Sequence, residues 1–282
     1  MADRSPKVRR RRLGLELRQL REHANLTIDQ VAKRLEVSDS KISRIENGQV
    51  SATPRDVRDM ATLYGVTGQR MENLKQLARE TREKPLFSRY GDMSTAFADF
   101  EVEASTVLMF LPMTLPGLFQ TPDYARAIIQ GIRYDLPPEE IDRRLEFRME
   151  RQTRLAETTP PQLWTIIDEA ILHRIIGDPT IMHHQLKSLV ETARLPHVTL
   201  QILPFTAGTH AGLDGPFMVF RFPEPTDRDV IYFEHTEFEH YVDDPDAIAL
   251  YVSMFDQIQA AALNSDDSID LLSRRADELG GQ

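Results

Sequence analysis

Ser40, Lys41, Ser43 and Arg44 fall on the outward side of a short helical pattern, with Asp39 before them and Asn47 after. Hydroxyls and cations at this spacing hydrogen-bond base edges and pair with phosphates, so the chemistry on offer is recognition of a duplex. The elements that must position them lie within Thr27–Gly48. Thr27 is an N-cap whose hydroxyl can accept from a free amide. Val31, Ala32 and Leu35 form an inward stripe at helical spacing, and the small Ala32 lets a second helix cross closely. Val37 buries the turn, Ser38 caps the second helix, and Asp39 suits the positive end of its dipole. Ile42 and Ile45 point back at the first helix, and Gly48 after Asn47 is a stop signal. The spacing predicts a helix-turn-helix whose second helix fits a major groove, first residues nearest the bases. Periodicity alone leaves a helical bundle without a nucleic-acid role as the alternative.

The run Ser40-Lys-Ile-Ser-Arg-Ile-Glu-Asn-Gly48, within roughly Leu13 to Leu77, resembles the Xre-type regulators, whose domain is related to the phage repressors. That resemblance implies a lambda-repressor-like fold in which Asp39, Ser40, Lys41 and Arg44 read bases or adjacent phosphates. It places Thr27 and Asn47 near phosphate contacts. The family often has Gln where this chain has Asp39 and Ser40. Shorter side chains reach fewer base atoms, which leaves Arg44 and Lys41 as the stronger candidates for guanine or phosphate.

The chain of 282 residues has 34 Lys plus Arg against 44 Asp plus Glu, net −10. Through Lys84 it holds 19 basic and 12 acidic residues, and from Pro85 onward 15 and 32. Polyanion binding is therefore expected of the head, with an acidic body that repels DNA and orients the encounter. Arg9, Arg10, Arg11 and Arg12 read as a flexible basic arm over 1–12, able to follow phosphates or enter a minor groove. A solvated tail is the plainer reading, and the arm is too polar for a secretory signal. With no cysteine, disulfides, thiol catalysis and zinc–thiolate sites are excluded. No apolar run reaches the length of a membrane span, and a cytoplasmic protein is expected.

The expected organisation is the arm, an all-α domain over 13–80, a charged linker over 81–96, a larger α/β (α+β) domain over 97–275 and a tail over 276–282. The first domain should hold five helices: Arg12–His23, the helix-turn-helix pair, one opened by Thr53-Pro54, and one capped by Thr67. In the second, Ala104–Leu111, Trp164–Ile167 and Val198–Leu203 read as strands, with a hairpin over Phe217–Phe222 and Val230–His235. Helices are expected after Thr121-Pro122, over Pro138–Glu157, from Asp168-Glu169, over Pro179–Arg194 and over Pro245–Leu263.

Pro116-Gly-Leu-Phe-Gln-Thr-Pro-Asp-Tyr-Ala125, Arg148-Met-Glu-Arg-Gln152, Ile167-Asp-Glu-Ala170 and Gln185-Leu186 make this half similar to the WhiJ-like, antitoxin-like regulators of Streptomyces and other actinobacteria. That likeness spans roughly Phe97 to Leu272. It implies developmental or antibiotic-related control and a very small partner protein encoded nearby, but no site residues.

Other chemistry in this half is thinner. The order of elements from Trp164 to His235 resembles half of a phospholipase D-type fold. His210 is followed by Ala211-Gly212, however, so the His-x-Lys pair of that chemistry is missing. His235 and His240 with Glu234, Glu237 and Glu239 offer metal-ligand types, but alternating strand faces would spread them. His183 and His184 are helical neighbours that point apart. Arg144, Arg148 and Arg151 form a stripe that could receive an anion or acidic partner; Glu140 and Glu150 favour surface ion pairs instead. The loop Gly208–Gly215 lacks phosphate-loop spacing and could rim a pocket beside Phe217 and Phe220. No catalytic set, metal site or cofactor site is expected.

The reading that follows is a sequence-specific DNA-binding regulator, a homodimer because one small recognition helix gives limited specificity. Its second domain would sense a ligand or partner. An antitoxin-type module that neutralises a small partner is the alternative, and an enzyme the remote third.

Overall fold

The computed structural model describes residues 5–93, 95–224, 227–234 and 239–281. The chain divides into two compact units. One runs to Glu103 and includes the segment Pro223–Arg228; the other comprises Ala104–Phe222 and the chain from Asp229 onward.

The first unit is built of α1 (Pro6–His23), α2 (Ile28–Leu35), α3 (Asp39–Glu46), α4 (Pro54–Leu63), α5 (Gly68–Glu80) and α6 (Ala96–Glu103). Its core joins Leu13 and Leu17 of α1 with Val31 and Ala32 of α2, Ile42 and Ile45 of α3, and Met60 of α4. Helix α1 begins well before Arg12. Ser5 caps it, accepting from the Lys7 amide at 3.2 Å, and Pro6 takes the first position, where its missing N–H costs nothing. Arg9 to Arg12 are therefore helical, not a flexible arm. Thr67 precedes α5 but makes no side-chain cap bond. Within the stretch expected as a linker, Ser88–Met93 forms a 3-10 turn. Helix α6 then packs on α1, with Phe100 buried and the Arg11 guanidinium 5.5 Å from its ring centre.

The second unit contains β1 (Thr106–Leu111), α7 (Pro122–Ile132), α8 (Pro138–Gln152), β2 (Gln162–Asp168), α9 (Ala170–His173), α10 (Pro179–Ala193) and β3 (Val198–Leu203). Next come β4 (Phe217–Arg221), β5 (Val230–Glu234), β6 (Glu239–Val242), α11 (Pro245–Ala261) and α12 (Ser265–Gly280). The strands form one six-stranded mixed sheet, order β3-β2-β1-β4-β5-β6. β1, β2 and β3 run parallel, with Leu108 opposite Trp164, and their connections carry helices as parallel crossovers require. β4, β5 and β6 continue antiparallel. Side chains alternate along each strand, so Leu108, Phe110, Ile166, Phe217, Val219 and Ile231 share one face with Phe255 and Ile258 of α11.

Strand β6 and helix α12 lie where no element was expected, and α12 runs to Gly280 through most of the anticipated tail. Asn264 caps α12, accepting from the Asp267 amide at 2.9 Å. The buried Ser268 donates to Asn264 O at 2.7 Å and accepts from the Ile202 amide at 3.0 Å, tying α12 to β3.

Candidate nucleic-acid interface

The presentation of α3 begins with α2. Thr27 Oγ1 accepts from the Gln30 amide at 3.2 Å, and Gln30 Oε1 accepts from the Thr27 amide at 3.0 Å, a reciprocal cap. At the other end Glu36 takes a left-handed conformation, φ 55°, which turns the chain at once toward α3. Ser38 Oγ then accepts from the Lys41 amide at 3.2 Å. After α3, Asn47 Nδ2 donates to Ser43 Oγ at 3.3 Å and Gly48 turns away at φ 64°.

Helix α3 lies hard against α1. A Cβ on Gly14 would stand 2.6 Å from the carbonyl oxygens of Ile45 and Glu46, so only glycine permits the approach. The C-terminal end of α3 is pinned by a buried fork. Arg21 Nε and Nη2 donate to Glu46 Oε1 and Oε2 at 2.8 and 2.9 Å, and Arg21 Nη1 donates to Leu26 O at 2.9 Å. The hydrogen bond to Glu46 raises the Arg21 pKa further, against the opposing effect of burial. Burial, with Glu46 adding to it, likewise pushes the Tyr64 hydroxyl well above its usual value.

With the helix anchored on its inner side, Asp39, Ser40, Arg44 and Asn47 are exposed, as is Thr27, while Lys41 and Ser43 are half-buried. The Arg44 side chain makes no hydrogen bond or ion pair among the described residues. Lys41 differs: its Nζ lies 2.6 Å from Asp56 Oδ1 on α4. Asp56 also accepts from the Thr53 amide at 2.9 Å and the Thr53 hydroxyl at 2.7 Å. Burial would raise the Asp56 carboxyl; the bonds from Lys41 and Thr53 outweigh it and hold its pKa below the usual carboxylate range. Beside this pair is a cleft of about 260 Å³ that also carries Arg55 and Asp59.

The four arginines of the expected arm are part of α1 and partly committed. Arg9 Nη1 lies 3.0 Å from Glu83 Oε2, and its Nε lies 3.6 Å from Glu80. Arg12 Nε lies 3.3 Å from Glu16. Arg11 is buried, and its Nη2 donates to Arg228 O at 3.4 Å.

In the second unit the motif residues meet one another. Gln185 donates to Phe119 O and accepts from the Thr121 amide, both at 2.7 Å. Gln152 donates to Gly117 O at 2.8 Å and Gln120 O at 2.7 Å. Arg148 Nη1 donates to Gln120 Oε1 at 2.6 Å. The stretch Pro116–Thr121 is thus clamped from α8 and α10. The other candidates disperse. Among the described residues no group of three His, Cys, Asp or Glu side chains could hold a metal ion. His235 and Glu237 lie outside the described residues, and His240 stacks on Phe233. His183 is committed to Ala276 O at 2.7 Å. In the glycine-rich loop, His210 Nδ1 accepts from the Gly212 amide at 3.2 Å. Gly212 packs against the Phe110 ring, and Phe217 and Phe220 point to opposite faces of β4. Glu140 does pair with Arg144, at 3.2 Å.

Two features went unread in the sequence. Asp56 belongs to a cap motif, Thr53-Pro-Arg-Asp56, that gives no hint of its grip on Lys41. The Arg21–Glu46 fork joins residues too far apart for any periodic signal.

A helical unit that projects a capped, glycine-seated second helix, followed by a mixed-sheet unit, defines a two-domain helix-turn-helix protein. A helix-turn-helix domain model matches residues 12–74. The chain belongs to the family of the domain of unknown function DUF5753, whose model matches residues 94–274. No curated protein and no solved structure matches the chain.

Proposed function

We propose that the protein is a sequence-specific DNA-binding transcriptional regulator that inserts α3 into the major groove. The observation that carries this is Arg44, an exposed guanidinium with no partner among the described residues, on a helix fixed from behind by Gly14 and Arg21. Asp39, Ser40 and Ser43 supply shorter polar contacts; Thr27 and Asn47 sit at the flanks, where phosphates pass. The DUF5753 domain senses a ligand or small partner and supports a homodimer on paired half-sites. The protein is not an enzyme and needs no cofactor. In this reading it acts in the cytoplasm and stands with the Xre-type, WhiJ-like, antitoxin-like regulators of actinobacteria.

The test is Arg44→Ala on a duplex selected by the wild-type protein. Specific binding should weaken by about 1–3 kcal/mol, and discrimination at the contacted base should relax. Unchanged footprints and affinity would rule out α3 as the reading element. The second reading is an antitoxin-type module that neutralises a small partner, as the motifs shared with the antitoxin-like regulators imply. Copurification with a small protein encoded nearby, and rescue from its toxicity, would favour that role.

A further inference from the structure

Helix α8 places Arg144, Arg148 and Arg151 on one side at turn spacing, where neighbouring side chains come within about 6 Å. Their surroundings differ. Arg144 Nε is 3.2 Å from Glu140, which is also 3.3 Å from Arg143. The Arg151 guanidinium lies 5.4 Å from the Phe147 ring centre. Arg148 is half-buried, and no carboxylate lies within ion-pair distance of it among the described residues. Its one hydrogen-bond partner there is the neutral Gln120 Oε1, at 2.6 Å. A guanidinium has five N–H donors, so most of those on Arg148 are uncommitted.

The scaffold around Arg148 is stiff. Gln120 is buried, and its Nε2 donates to Leu115 O at 2.7 Å. Gln152, one turn along α8, holds Gly117 O and Gln120 O. Gly117 sits beside the arginine stem; a Cβ added to it would stand 3.6 Å from Arg148 Nε and 3.7 Å from its Cδ. The guanidinium is thus fixed in orientation with a free edge. Burial, with Arg151 and Arg144 adding repulsion, lowers its pKa to about 10, against the opposing pull of the Glu234 carboxylate. From Pro85 onward the chain has 32 acidic and 15 basic residues, so three arginines on one side of a helix stand out. A partly buried guanidinium with no carboxylate bonded to it is costly, and an anionic ligand that bonds it lowers that cost.

We propose that Arg148, supported by Arg144 and Arg151, is the binding site for a small phosphate-bearing ligand on the DUF5753 domain. A planar fork suits two phosphate oxygens, and the flanking cations favour a dianion over a single carboxylate. As a site this stands on the side chains themselves; as the effector site of a regulator it rests on the function proposed above.

Inorganic phosphate is the probe, titrated calorimetrically into the full-length protein against sodium chloride at matched ionic strength. Phosphate should bind, and Arg148→Gln should weaken it about tenfold or more, the loss of a charge-assisted hydrogen bond. Arg148→Lys keeps the charge and the clamp on Gln120 but loses the fork, and should also weaken binding. Arg144→Gln, which leaves the Pro116–Thr121 clamp intact, should weaken it about threefold through charge alone. Arg44→Ala should bind phosphate like the wild type, which separates this site from the helix-turn-helix face. No heat beyond the chloride control would overturn the proposal. So would equal binding by the wild type and the folded Arg148→Lys and Arg144→Gln variants, or loss of binding in Arg44→Ala alone. Duplex binding, measured in parallel, reports on the regulator reading alone.

Discussion

The ammonium of Lys41 meets Asp56 before it meets any phosphate, at 2.6 Å and half-exposed. In Asp56→Asn the cation is released, so non-specific duplex affinity should rise and its salt dependence steepen by about one counterion. Adding Lys41→Ala should abolish the gain; a gain that survives in the double variant would mean that Lys41 is not the group released. Asp56 also has a pH signature. Its folded pKa lies below that of a free aspartate, so its contribution to stability is present above the free value and lost as the pH falls through the lowered one. Acid unfolding followed by circular dichroism should show a shallower decline in Asp56→Asn. The Arg21–Glu46 fork has side chains 10% and 3% exposed. Arg21→Ala strands a buried carboxylate, and urea denaturation should show a loss of about 3–5 kcal/mol. A loss below about 1 kcal/mol, the scale of an exposed ion pair, would show that the fork does not anchor α3.

Elements were legible where their signals are local. Thr27, Ser38 and Thr53 are caps that any reader of short-range pattern finds, and the inward Val31, Ala32, Ile42 and Ile45 set the period. The surface of α3 follows from that period, which is why the exposed Ser40 and Arg44 are readable from sequence. The start of α1 is hidden because its first turns carry Arg9 to Arg12, and charge masks the Ser5-Pro6 cap. Helix α12 is hidden for a related reason: Asn264-Ser-Asp-Asp267 resembles an acidic tail until Ser268 is seen bonded to β3. The motif residues Gln120, Arg148, Gln152 and Gln185 can be quoted from sequence but not interpreted, since their bonds cross from one element to another. Between elements the tightest constraint is Gly14. In Gly14→Ala the new methyl meets backbone oxygens that cannot move aside, so α1 and α3 must separate, at about 1–3 kcal/mol. Thermal unfolding reads that cost, and duplex affinity should fall with it because α3 is re-aimed. Full stability and full affinity in that variant would contradict the packing described.

The whole molecule segregates its charge, with 19 basic and 12 acidic residues through Lys84 against 15 and 32 beyond. On the proposed reading the basic head makes the phosphate contacts, so duplex affinity should fall as salt is added. If the protein pairs through its second domain, footprints should show two half-sites about one helical turn, roughly 34 Å, apart, and sedimentation should give a dimer. A monomer protecting one uninterrupted half-site would leave the head intact and remove the dimer. Reading of DNA by α3 through Arg44 is what we propose. Its most direct measurement is equilibrium binding of wild type and Arg44→Ala, at one fixed ionic strength, to a duplex selected by the wild type and to a scrambled one. A loss of about 1–3 kcal/mol is expected on the selected duplex and little change on the scrambled one. A wild-type protein that binds neither duplex at low salt, or an alanine variant that binds the selected duplex as tightly as the wild type, would contradict it.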